Sequence, residues 1–184
     1  MSAPIAVSAI KTNRTNIVGM GLRLRPTIDR EVLGISDEEA KRWEKKTQRE
    51  FELWAKSKQC DATKVNNFYE MQQIVCMSWL TNGDAVGLIE YCDEEKAFMP
   101  YELRIHLIES DKVCNPQSTG AYVNLWETNP DNGNRIYNGV EIDSKGGVVA
   151  YHICNTYPNS ALVTQKKWTR VKAFGDRTGM PNVL

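Results

Sequence analysis

The chain has 184 residues, 41% hydrophobic and 25% charged, with 23 Lys and Arg balanced by 23 Asp and Glu. That length supports one domain, 1–184, with a core of its own, and the zero net charge gives no basic footprint for gripping nucleic acid. Five cysteines, odd in number and with no CxxC pair or export signal, read as reduced thiols; no apolar run approaches the ~20 residues of a membrane span. The chain reads as soluble and intracellular at synthesis, with no membrane partner.

From the N-terminus, Pro4 followed by Ile5, Ala6, Ala9 and Ile10 on one face predicts a short helix. "GMGLRLRP" then alternates Leu22 and Leu24 with Arg23 and Arg25, the period of a half-buried strand ended by Pro26. Its two arginines are expected to face solvent or a partner. Ser36 with Glu39 three residues later is a capping box, opening a helix to about Lys58 in which Ala40, Trp43, Thr47, Phe51 and Trp54 recur at spacings of three and four. Asn67 with Glu70 predicts a second capped start. The helix that follows, 68–82, is apolar nearly all round through Phe68, Ile74 and Trp79 and therefore reads as buried, and Gly83 supplies a left-handed C-cap. The expected structural core is Trp43, Phe51, Trp54, Phe68, Ile74 and Trp79, with Gly83 at the corner into a strand.

Residues 84–91 and the alternating Leu103, Ile105 and Leu107 predict an antiparallel pair. "RIYNGVEIDSKGGVVAYHI" reads as a hairpin turning at Ser144–Gly147, and residues 167–174 as a final strand. Between them, 114–134 is rich in Asn, Pro, Ser and Gly and reads as a long exposed loop, interrupted only weakly by "AYVNLWE". Trp126 in that loop is an aromatic anchor suited to a subunit interface. Helices first and antiparallel strands after make the fold class α+β: N-terminal helices packed against a mainly antiparallel sheet with hairpins.

Little in the sequence points to catalysis, a metal or a cofactor. His106 and His152 are the only histidines and stand apart without ligand spacing. Cys154, two residues from His152, is the one pairing with a nucleophile's outline; Asp84 and Glu90 read as solvated strand carboxylates. No phosphate-binding glycine loop is present, since "GMG" precedes a strand pattern rather than a helix. On residues alone, a soluble intracellular adaptor or ligand-binding module without catalysis remains an alternative.

Several separated blocks, "AIKTNRTNIVGMGLRLRPTIDREVLGISDEEAKRWEKKTQREFELWA", "NFYEMQQIVCMSWLTNGDAVGLI", "LRIHLIESDKVCNP" and "NGVEIDSKGGVVAYHI", resemble in order and spacing the phage portal proteins of the lambda type. The resemblance implies the wing-like region of a portal subunit, without the preceding helices, stem and crown of family members. It implies a structural, non-enzymatic subunit of a dodecameric homo-oligomer at one capsid vertex, located in the virion and assembled in the host cytoplasm. It further implies DNA packaging and ejection through the ring, with double-stranded DNA passing without sequence-specific binding. Terminase, the scaffold or major capsid protein, and head-tail connector proteins are the implied partners. In that setting the helix 68–82 and its turn at Gly83 act as a brace, and Trp126, Arg23 and Arg25 are the candidate subunit-interface residues.

Overall fold

The computed structural model describes residues 3–92, 99–116, 126–158 and 166–184. Its backbone falls into two compact units, one of residues 1–83 and 90–106, the other of 84–89 and 107–184, so that Gly83 closes the first stretch of one and Asp84 opens the other. The sequence reading treats 1–184 as one domain; the division runs through the predicted corner.

The first unit is built on four helices, α1 (Pro4–Ile17), α2 (Arg30–Leu33), α3 (Asp37–Lys56) and α4 (Phe68–Asn82). Both predicted capping boxes form: Ser36 Oγ accepts the Glu39 N–H while the Glu39 carboxylate accepts the Ser36 N–H at 2.9 Å, and Asn67 and Glu70 do the same for α4. Gly83 has φ 87°, in the left-handed region, and its N–H caps the Trp79 carbonyl. Between α3 and α4 the chain is tied by Asp61, 3% exposed, whose carboxylate accepts the N–H groups of Thr63, Val65 and Asn66. Burial works to raise its pKa, but these donated bonds outweigh it and hold Asp61 below the usual carboxylate value.

Trp54, Phe51 and Phe68 form the aromatic centre of this unit, with ring centroids 5.1 to 5.6 Å apart. Trp54 is 6% exposed and donates from Nε1 to the Leu103 carbonyl at 2.8 Å, which satisfies the one polar group a buried indole carries. Three members of the expected core lie elsewhere. Trp43 is 49% exposed, Ile74 42% and Trp79 57%, so α4 is apolar nearly all round without being buried all round; among its residues Met71 and Cys76 are buried. The cover sits where α3 ends and α4 begins. Trp43 precedes Trp54, and Trp79 follows Phe68, by about three helical turns, or roughly 16 Å, and both lie beyond the aromatic centre.

The predicted strand at 19–26 does not form. A strand needs a partner backbone, and here the side-chain amide of Gln72 on α4 takes that place: its Oε1 accepts the Leu22 N–H at 2.6 Å and its Nε2 donates to the Leu22 carbonyl at 3.2 Å. Leu22 and Leu24 remain exposed.

Strands β1 (Val86–Tyr91) and β2 (Leu103–Ile108) pair antiparallel as expected. In the second unit, the C-terminal residues add to β1, with Gly87 and Leu184 exchanging both backbone hydrogen bonds. Its main sheet is a five-stranded antiparallel meander, β3 (Trp126–Thr128), β4 (Arg135–Tyr137), β5 (Val140–Ile142), β6 (Val148–Cys154) and β7 (Trp168–Lys172). The final strand and the turn at Ser144–Gly147 lie where predicted. "RIYNGVEI", read as one run, is instead two strands joined at Asn138-Gly139, both with the positive φ of a type I′ turn, 48° and 82°. The 114–134 loop is also shorter than expected, because Trp126–Thr128 pairs with β4; residues 117–125 lie outside the described residues.

Trp54→Ala should lower stability by about 3 to 5 kcal/mol through loss of a buried aromatic, whereas Trp79→Ala should change it by no more than about 1 kcal/mol. Urea unfolding of the two variants followed by circular dichroism measures the contrast. Equal losses would place Trp79 in the core after all.

Candidate functional site

Antiparallel pairing in the second unit lines up Glu127, Ile136, Glu141, Ala150 and Lys172 across five strands. A side chain on a strand shares its face with those directly opposite, and this row is buried from Glu127 to Ala150, with Glu141 0% exposed. A carboxylate there needs donors to replace the water it has lost. Arg170 supplies a two-pronged contact, Nε to Oε2 at 2.7 Å and Nη2 to Oε1 at 2.9 Å. His152, directly opposite Arg170 in the β6–β7 ladder, brings Nε2 to 2.9 Å from Oε2. The loop between β3 and β4 adds three side-chain amides: Asn129 to Oε2 at 3.1 Å, Asn132 to Oε1 at 2.7 Å and Asn134 to Oε1 at 2.9 Å.

The Arg170 hydrogen bonds hold the Glu141 carboxyl far below the usual carboxylate range; burial opposes them, and Asn134, Asn132 and His152 add to them. Such a carboxylate stays ionised and has both oxygens engaged. It anchors; it is not poised to take a proton. His152 Nε2 is committed to it, and Cys154, 1% exposed, points its thiol at Asn155 Oδ1 at 3.8 Å. The Cys154 and His152 pairing of the sequence reading is therefore not assembled as a nucleophile with its base.

Among the described residues no group of three or more His, Cys, Asp or Glu could hold a metal ion. Glu90 and His106 form a half-exposed pair at 2.8 Å. An open cleft on the first unit gathers Asp29, Arg30, Glu31, Asp37, Lys41 and Glu44, but much of its charge is spent locally. Arg30 pairs with Asp37, Asp29 caps α2 and Glu44 accepts the Ile28 N–H.

Trp126 lies on the opposite face of the sheet from Glu141 and is 56% exposed. Arg135 stands 5.9 Å over its ring, and Tyr137 is its cross-strand neighbour. The same row continues through Val140, Tyr151 and Val171, an apolar and aromatic line on the more open side. Arg23 and Arg25 are exposed in the first unit, on the segment between α1 and α2. Glu141, its three asparagines and Arg170 escaped the sequence reading. The available signal was a glutamate at an inward parity beside the asparagine-rich "NPDNGN".

The family model described as "Phage portal protein, lambda family" matches residues 1–184. The chain belongs to the lambda family of phage portal proteins. This portal chain is thus a component of a phage capsid assembly, from a structural and non-enzymatic family. No curated protein matches it. No helix among its described residues is long and apolar enough to cross a membrane.

Because the folded pKa of Glu141 lies below its unfolded value near 4.3, its contribution is complete above about pH 5 and fades as pH falls toward the folded pKa. Glu141→Gln should cost about 3 kcal/mol at pH 7, by leaving Arg170 and His152 short of their partner. The gap to the parent should narrow steadily below pH 5. Thermal melts of both proteins across that range check this; a gap independent of pH would mean that the charge is not what matters.

Proposed function

We propose that this chain is the wing-like region of a portal subunit, one of a dodecameric ring at a single capsid vertex. The ring is the conduit for DNA packaging and ejection, and the docking site for terminase and for head-tail connector proteins. It assembles in the host cytoplasm beside the scaffold or major capsid protein and ends in the virion. The observation that carries this reading is the family match along the whole chain. It is supported by a polar cluster that anchors rather than reacts.

Double-stranded DNA passes without sequence-specific binding, in keeping with equal numbers of acidic and basic residues. Contacts with the neighbouring subunit use Trp126 with its cross-strand partner Tyr137, and Arg23 and Arg25. A half-exposed tryptophan beside a tyrosine and an arginine has the composition of an interface centre.

Negative-stain electron microscopy of the full-length portal polypeptide containing this sequence, purified without other phage proteins, tests the reading. Closed rings of about twelve-fold symmetry are expected, and Trp126→Ala should shift the population toward smaller species while the subunit's thermal melt stays unchanged. Monomers or dimers at every concentration would refute the ring.

A further inference from the structure

All five cysteines are free thiols, yet two of them meet in the second unit. The antiparallel bridge Val113–Ile153 and the Cys114 N–H bond to the His152 carbonyl, at 3.2 Å, lay residues 113–114 alongside the end of β6. Alternation along paired strands then puts the side chains of Cys114, His152 and Cys154 on one face. Trp168 on β7, the register partner of Cys154, reaches back to donate from Nε1 to Cys114 Sγ at 3.3 Å. The Cys154 thiol is among the groups that hold the Cys114 thiol above its usual pKa, after burial as the main cause. Cys154 is closed off from solvent, while Cys114 is half-buried.

We propose that Cys114 and Cys154 are a latent disulfide pair, held as thiols in the reducing cytoplasm and joined once the assembled particle reaches an oxidising medium. The place and timing rest on the portal reading; the bond itself depends only on the second unit. Residues diagonal across a ladder carry Cβ atoms about 7 Å apart, and a disulfide needs about 4 Å. Residues 113–114 must therefore slide toward Cys154. The segment is held in place by the Val113–Ile153 bridge, by the Cys114 N–H on the His152 carbonyl and by Asn115, whose Oδ1 accepts the Gly139 N–H at 2.7 Å, so these contacts must loosen for the disulfide to close.

A hydroperoxide supplies the oxidising equivalents. The Cys114 thiolate takes one peroxide oxygen as the O–O bond breaks, giving a sulfenic acid and leaving the other oxygen as water or an alcohol. The Cys154 sulfur then attacks the Cys114 sulfur, the S–O bond breaks, and water departs with the Cys154 proton. Two thiols lose two electrons and two protons in all. Burial holds the Cys114 thiol above its usual pKa, so the first step is slow at neutral pH and the pair persists as thiols during assembly.

The test is a hydrogen peroxide titration of the purified chain, followed by alkylation, proteolysis and mass spectrometry, with Cys154→Ala in parallel. A peptide pair joined through Cys114 and Cys154, lighter by about two mass units than the two thiol peptides, is expected. In Cys154→Ala, Cys114 should accumulate as sulfenic acid. Should that variant fail to fold, Cys114→Ser replaces it, and Cys154 must then stay reduced at peroxide levels that oxidise the parent pair. Two free thiols under excess peroxide, or Cys114 passing to sulfinic acid without pairing, would overturn the assignment. Purified phage particles separate the bond from its timing: the pair should be reduced within cells and oxidised after release. A pair that forms in the purified chain but stays reduced in released particles would overturn the timing and leave the bond standing.

Discussion

An ionised carboxylate leaves water only when other donors take over its hydration, and in the second unit that requirement falls on Glu141. Its position in the cross-strand row directs it to the closed face of the meander, where Arg170 and His152 from β7 and β6 and three asparagines from the β3–β4 loop converge on its two oxygens. One side chain thereby fixes the loop conformation, the register of three strands and the placement of the only guanidinium in the cluster. A hydrophobic residue of similar size would bury as easily but would orient nothing. The arrangement trades desolvation for geometric definition.

The first unit is organised differently. Its definition comes from an aromatic triad where α3 meets α4, and from Asp61, which gathers backbone donors of the intervening turn. Stability is concentrated there, and the far ends of both helices carry exposed tryptophans.

Local signals were the legible part of the sequence. The Ser36–Glu39 and Asn67–Glu70 boxes, the glycine cap at position 83 and the final strand all depend on residues a few positions apart, and each appears where its spacing placed it. The losses were tertiary. Trp43 and Trp79 have the spacing of a buried face, but spacing cannot say how far along a helix the cover extends. Leu22 and Leu24 alternate like a strand, yet a glutamine side chain supplied the partner that a strand would have required. Asn138-Gly139 was a local signal passed over, the shortest hairpin turn hidden inside an alternating run. The Glu141 cluster joins residues from four separate segments, so no spacing in the chain announces it.

One carboxylate couples the asparagine loop to the β5–β7 ladder. Hydrogen–deuterium exchange with peptide-level readout, comparing the parent with Glu141→Ala, tests it most directly. Coupling predicts that protection falls together in 129–134, 148–154 and 168–172 while the α3 and α4 amides are unchanged. Loss of protection confined to 129–134, with β6 and β7 as slow as in the parent, would rule out that coupling and reduce Glu141 to a local loop clasp.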